Sequence, residues 1–152
     1  MSEHILVDGY SLIHQWDELR TARGRGAAAG RDALISALTR FHDSHGGGLT
    51  VVFDGQSVPK GGAAIKTGIQ IVYSRAGESA DAVIERMVGQ SPRPADFLVA
   101  TDDMAEQRVV EGFGAHTISA AGFRRMVEDD SKDLGREIKD LSRRNQGFSR
   151  RR

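Results

Sequence analysis

Three apolar runs that each close on an acid constrain this chain more than anything else in it. They are Ile5-Leu6-Val7-Asp8-Gly9, Val51-Val52-Phe53-Asp54-Gly55 and Phe97-Leu98-Val99-Ala100-Thr101-Asp102-Asp103. A short unbroken apolar run is how a strand buried on both faces reads, and such strands belong to parallel sheets covered by helices. In open α/β sheets, functional groups collect at the carboxyl ends of the strands. If the three strands are neighbours, Asp8, Asp54 and the Asp102-Asp103 pair converge on one crevice. Carboxylates brought together repel one another unless a cation sits among them, and all-oxygen donor sets suit Mg²⁺ or Mn²⁺.

The segments between these runs supply the covering helices. After a strand over 4–8, residues 10–20 read as a short helix or turn, and the Gly/Ala/Arg stretch 21–30 as a mobile loop. Leu34, Ile35, Leu38 and Phe41 recur at helical spacing, which predicts a helix over 31–44 stopped by Gly46-Gly47-Gly48. A strand over 49–54 is followed by a Gly-rich stretch, 56–68, expected to be a flexible loop. Residues 69–74 alternate as a strand near one edge does. Helices are expected over 79–88 and 104–112, and strands over 96–101 and 115–118. Ser119 is placed to cap a further helix. Strands alternating with helices specify a single three-layer α/β/α sandwich with a mainly parallel sheet of about five strands.

Charge is distributed unevenly. The net charge of the 152 residues is zero, yet from Ser131 onward eight Lys or Arg face three acids, leaving the remainder acidic by five. We divide the chain into a domain over 1–130 and a basic helix and tail over 131–152, with Leu134, Ile138 and Leu141 as the helix's apolar stripe. A basic appendix on an acidic body is suited to a polyanionic partner. There is no Cys, so no thiolate metal site is possible. No apolar run approaches the ~20 residues that span a bilayer, and no signal segment is visible, so a cytoplasmic protein with no membrane partner is expected.

Each acid also has an ordinary structural use. Asp8-Gly9 and Asp54-Gly55 fit turns, Asp81 favours the first turn of a helix, and Asp103 with Glu106 has capping-box spacing. His42 and His45 lie three apart but have no third nitrogen or sulfur partner in view.

Taken in order, Asp8-Gly9-Tyr10-Ser11-Leu12-Ile13 with Trp16, Val52-Phe53-Asp54-Gly55, Val72-Tyr73-Ser74, Glu78-Ser79-Ala80-Asp81 and Val99-Ala100-Thr101-Asp102-Asp103 with Glu106-Gln107 resemble the NYN domains of the PIN-like nuclease superfamily. The nearest pattern within that group is the YacP-like bacterial endoribonucleases. Ser11 stands where the pattern usually has Asn, and Asp102 where it more often has Ser or Asn.

The resemblance implies a metal-dependent endoribonuclease that hydrolyses phosphodiester bonds in single-stranded RNA, with mRNA the expected class. It implies Asp8, Asp54, Asp81 and Asp103 as the acidic catalytic set. Asp8, Asp81, Asp103 and Asp102 are then the metal ligands, for Mg²⁺ or Mn²⁺. Ser11 and Thr101 are expected to hold a carboxylate or the RNA phosphate by hydrogen bonds, and the cationic Arg20, Arg23, Arg25, Lys60, Lys66, Arg143 and Arg144 to touch RNA, free or presented by a ribonucleoprotein. Two other readings are a non-catalytic RNA-binding NYN-like domain and a Mg²⁺-binding receiver-like signalling module. The second wants a Lys where the strand over 115–118 ends, and the chain has Ile118-Ser119-Ala120 there.

Overall fold

The computed structural model describes residues 3–55, the backbone of 62–66, and residues 68–130. The expected helix over 131–144, the tail with Arg143 and Arg144, and Lys60 lie outside the described residues.

The apolar runs form the middle of the sheet. β1 (His4–Asp8) pairs in parallel with β2 (Gly48–Phe53) on one side and β5 (Phe97–Ala100) on the other. β4 (Ile69–Tyr73) lies outside β2 and β6 (His116–Ile118) outside β5, both parallel. These are the five strands expected. A sixth, β3 (Gly62–Lys66), runs antiparallel to β4, so the order is β3-β4-β2-β1-β5-β6. The stretch expected to be a loop over 56–68 therefore contains an edge strand, which carries Lys66. Its Gly and Ala residues are too small to print an alternating pattern. Gly68, at φ +89°, lies in the turn between the two strands.

One face is covered by α1 (Gly9–Gln15), α2 (Asp17–Arg23), α3 (Ala27–His45) and a helix over 120–130, here α6. Their core contains Leu12, Ile13, Trp16, Leu34, Leu38 and Phe123 against Ile5, Val7, Val51 and Phe53. The other face carries α4 (Ala80–Gly89) and α5 (Met104–Phe113), packed through Val83, Ile84, Val88 and Val110 on Leu6, Val52 and Val99. Successive strand residues point to opposite faces. Asp8 therefore follows Leu6, and Thr101 follows Val99, onto the α4/α5 face.

The stretch 21–30 is mostly helical rather than a loop. Three consecutive alanines favour a helix, and they start α3 four residues earlier than the apolar stripe alone indicates. Gly30 is buried, and a Cβ there would lie 3.2 Å from the Arg23 Cβ, so its lack of a side chain lets α3 approach α2. Between α1 and α2, Trp16 is extended (φ −85°, ψ 123°) and 2% exposed. Its Nε1–H donates to the Ala120 carbonyl at 2.9 Å, so this indole is a core anchor.

Gly9 sits against the aromatic core. A Cβ there would lie 2.4 Å from the Phe53 ring, which is fully buried and held between Tyr10 and Tyr73. Gly9→Ala is expected to destabilise the domain by about 1–3 kcal/mol, read from the midpoint of urea unfolding, because overpacking here has no free side to relax into.

Candidate metal centre

The connection leaving β1 passes over one face through α1–α3, and the connection entering β5 passes over the other through α4. The chain therefore parts at the carboxyl ends of β1 and β5, the place where doubly wound sheets open a crevice. Asp8 ends β1 there. Thr101 follows β5, and the first turns of α4 and α5 bring Asp81 and Glu106 to the same point.

Asp8, Asp81 and Glu106 each offer a carboxylate oxygen, and the three oxygens lie within 4.8 Å of one another. Asp8 is 7% exposed and Glu106 1%. Thr101 Oγ lies 3.2 Å from Asp8 Oδ2 and 2.9 Å from Glu106 Oε2, and Ser11 Oγ donates to Asp8 Oδ2 at 2.9 Å. Glu106 Oε1 is buried and has no hydrogen-bond partner among the described residues.

Burial dominates the electrostatics. It raises the Asp8 carboxyl above its usual range, against the pull of the Ser11 and Thr101 hydroxyls. Burial, reinforced by the charges of Asp8 and Asp103, pushes Asp81 up to about 6, while its contact with Glu106 works the other way. Glu106 rises to about 9, first through burial, then through its contact with Asp81 and the charges of Asp8 and Asp81. Glu106 thus keeps a proton at neutral pH where a cation would otherwise balance the charge. Asp103 goes the other way. The hydrogen bond from Asp81 and the amides of Glu106 and Ala105 hold its carboxyl below the ordinary value.

The donor set is all oxygen, two buried carboxylates and the half-buried Asp81 in one crevice, and Glu106 Oε1 is buried with no partner among the described residues. That chemistry fits a hard divalent cation of the Mg²⁺ or Mn²⁺ class.

The other expected site residues fall into distinct places. Asp103 adjoins Asp81, but its Oδ1 is also the cap of α5, accepting from Ala105 N at 2.9 Å and Glu106 N at 3.2 Å. Asp102 turns toward α6, where its Oδ1 accepts from Ala120 N at 2.8 Å. Asp54 lies toward β4, with Ser74 Oγ 3.5 Å from its Oδ1 and Gly55 N donating to that same hydroxyl. Neither Asp54 nor Asp102 belongs to the three-carboxylate group. On the opposite helical layer, Arg20 pairs with Asp17 and Arg23 contacts the His14 ring, while Arg25 is exposed in the turn before α3.

Glu106 is the member that sequence reasoning does not assign to the site, because its spacing from Asp103 fits a capping box. In the structure the reciprocal half of that box is missing. The Asp103 amide donates to Thr101 Oγ at 3.1 Å, and the Glu106 side chain turns inward. The available signal was Val110, one turn further along α5 on its buried face. An acid on that face is buried, and a buried acid needs a reason.

A model of the YacP-like NYN domain matches residues 5–152. The protein YacP of Bacillus subtilis (strain 168) is 30% identical over 141 residues, spanning 91% of this chain and 82% of that one. Two crystal structures of Rae1 (YacP) from Bacillus subtilis share the fold. A tryptophan-to-leucine mutant gives a TM-score of 0.78 at 27% identity, covering 92% of this chain and 83% of the other. The second gives 0.77 at 26% identity, with 95% and 84% covered.

Proposed function

The chain belongs to the YacP-like NYN domain family, and from that premise we propose that it is a divalent-metal-dependent endoribonuclease acting on single-stranded RNA. The observation that carries the reading is the meeting of Asp8, Asp81 and Glu106 within 4.8 Å, with Glu106 almost fully buried. A structural role for these acids would place them at caps or ion pairs, as Asp102 and Asp103 are placed. Instead they face one another in a crevice, at a cost in repulsion and desolvation that a bound cation offsets.

Asp8, Asp81 and Glu106 hold the ion, and Asp103 stands beside Asp81 at the mouth. When bound, Mg²⁺ or Mn²⁺ supplies a water acidified toward neutral pH and neutralises charge building on the scissile phosphate. The chain's own contribution is to orient these carboxylates through Ser11 and Thr101 and to exclude solvent from Glu106. The basic residues from Ser131 onward, Arg143 and Arg144 among them, attract RNA that the acidic remainder repels. Substrate can reach the site as free RNA or as part of a ribonucleoprotein. No helix among the described residues is long and apolar enough to cross a membrane.

The test is cleavage of an end-labelled single-stranded RNA in Mn²⁺, with EDTA and with a duplex of the same sequence as controls. Internal cuts that EDTA abolishes and duplex formation suppresses are expected. Cleavage unaffected by EDTA, or no cleavage of any RNA, overturns the proposal.

Ion binding must also displace protons. Asp81 titrates at about 6 and Glu106 at about 9, so Mn²⁺ affinity is expected to climb steadily from pH 6 to pH 9, with proton release seen in differently buffered calorimetric titrations. An affinity independent of pH across that range means the ion binds elsewhere.

A further inference from the structure

The Ser11 hydroxyl does a task that the sequence leaves open between a carboxylate and a phosphate. It lies on the first turn of α1 and reaches across the crevice in two directions. Its Oγ donates to Asp8 Oδ2 at 2.9 Å, sits 3.4 Å from Thr101 Oγ, and receives the Asp102 amide at 3.4 Å. One hydroxyl thereby ties the β1–α1 junction to the β5–α5 junction, the two loops between which the acids meet.

Counting protons separates Ser11 from Thr101. The Thr101 hydroxyl has one proton and two carboxylate neighbours, Glu106 at 2.9 Å and Asp8 at 3.2 Å, and it already accepts from the Asp103 amide. It can donate to only one of those carboxylates at a time. Among the described residues Ser11 Oγ has one carboxylate partner, Asp8 at 2.9 Å, and its contact with the Thr101 hydroxyl is longer, at 3.4 Å, so its proton goes first to Asp8.

We propose that Ser11 is the positioning residue of this site. It pins Asp8 Oδ2 and so fixes the carboxylate's rotation, leaving the other oxygen to a divalent cation. The inference rests on the metal-site reading and assigns Ser11 to Asp8 rather than to RNA. Groups that orient a ligand side chain are typically responsible for about 10–100-fold in metal affinity. Once a bound cation displaces the Glu106 proton, Thr101 cannot substitute, because serving Asp8 full-time then releases Glu106.

The experiment is Mn²⁺ binding to the full chain, followed by electron paramagnetic resonance without RNA, for wild type, Ser11→Ala and Ser11→Thr. Circular dichroism verifies that each variant is folded. Ser11→Ala is expected to weaken Mn²⁺ binding by about tenfold or more. Ser11→Thr, which keeps the hydroxyl, is expected to restore it to within about threefold. Wild-type affinity in Ser11→Ala overturns the inference, as does a Ser11→Thr variant as weak as Ser11→Ala. If instead wild type binds Mn²⁺ and cuts no RNA, the nuclease reading fails while the Ser11 comparison still stands or falls on affinity alone.

Discussion

Glu106→Gln and Asp81→Asn are each expected to lower RNA cleavage by about a thousandfold or more while leaving the fold intact. The size follows from what the carboxylates do. A cation that generates the nucleophile and stabilises the charged phosphate supplies several kcal/mol of the barrier reduction, and about 1.4 kcal/mol is a factor of ten in rate. Both substitutions conserve shape but remove a negative ligand from a set of three. Glu106→Gln is the more telling of the two, since the spacing from Asp103 marks that residue only as a helix-cap partner. If Glu106 were only the partner of Asp103 in a helix cap, its amide analogue would cleave at nearly the wild-type rate. Single-turnover cleavage at saturating RNA and Mn²⁺ separates the two outcomes, because at saturation neither RNA affinity nor residual metal affinity masks the chemical step.

The same Glu106→Gln substitution is expected to stabilise the metal-free protein at alkaline pH. Glu106 titrates at about 9 in the folded chain, against an ordinary value of 4.5. Below pH 4.5 both folded and unfolded states hold the proton, and there is no penalty. Between there and pH 9 the unfolded chain sheds it while the folded chain retains it, so stability falls as pH rises. Asp81, raised from 3.8 to about 6, contributes in the same direction over a lower window. Thermal unfolding of wild type in EDTA should therefore show a melting temperature that drops from pH 6 to pH 8.5. Glu106→Gln should remove most of that drop and melt several degrees above wild type at pH 8.5, since ~1 kcal/mol moves a chain of this size by ~2–4 °C. A variant that melts below wild type at both pH values means that Glu106 is a structural acid.

The parts of the fold that sequence revealed are those where burial writes a strong pattern. β1, β2 and β5 are buried on both faces and read as unbroken apolar runs, which is why Asp8 was visible as a strand-end acid. The start of α3 and the whole of β3 were hidden for the opposite reason. Both are rich in Gly and Ala, which fit helix, strand or loop without leaving a periodic trace. In the site, Asp8 and Asp81 were legible from their strand and helix junctions. The Asp102-Asp103 pair was not resolvable, because adjacent residues leave a strand in opposite directions. One caps α6 through Ala120, and the other caps α5 and stands beside Asp81. Glu106 was concealed by its spacing from Asp103, and only the inward turn of its side chain distinguishes a buried ligand from a cap.

Crystals of the full chain soaked in Mn²⁺ and measured for anomalous scattering decide whether Asp8, Asp81 and Glu106 hold a metal ion. A strong anomalous peak is expected, bounded by carboxylate oxygens of Asp8, Asp81 and Glu106 at about 2.2 Å, a typical distance for a hard divalent ion between the ranges of Mg²⁺ and Ca²⁺. The peak should be lost in Glu106→Gln crystals grown the same way. A wild-type map with no peak in this crevice, or with its Mn²⁺ held by Asp54 or Asp102 instead, contradicts that assignment.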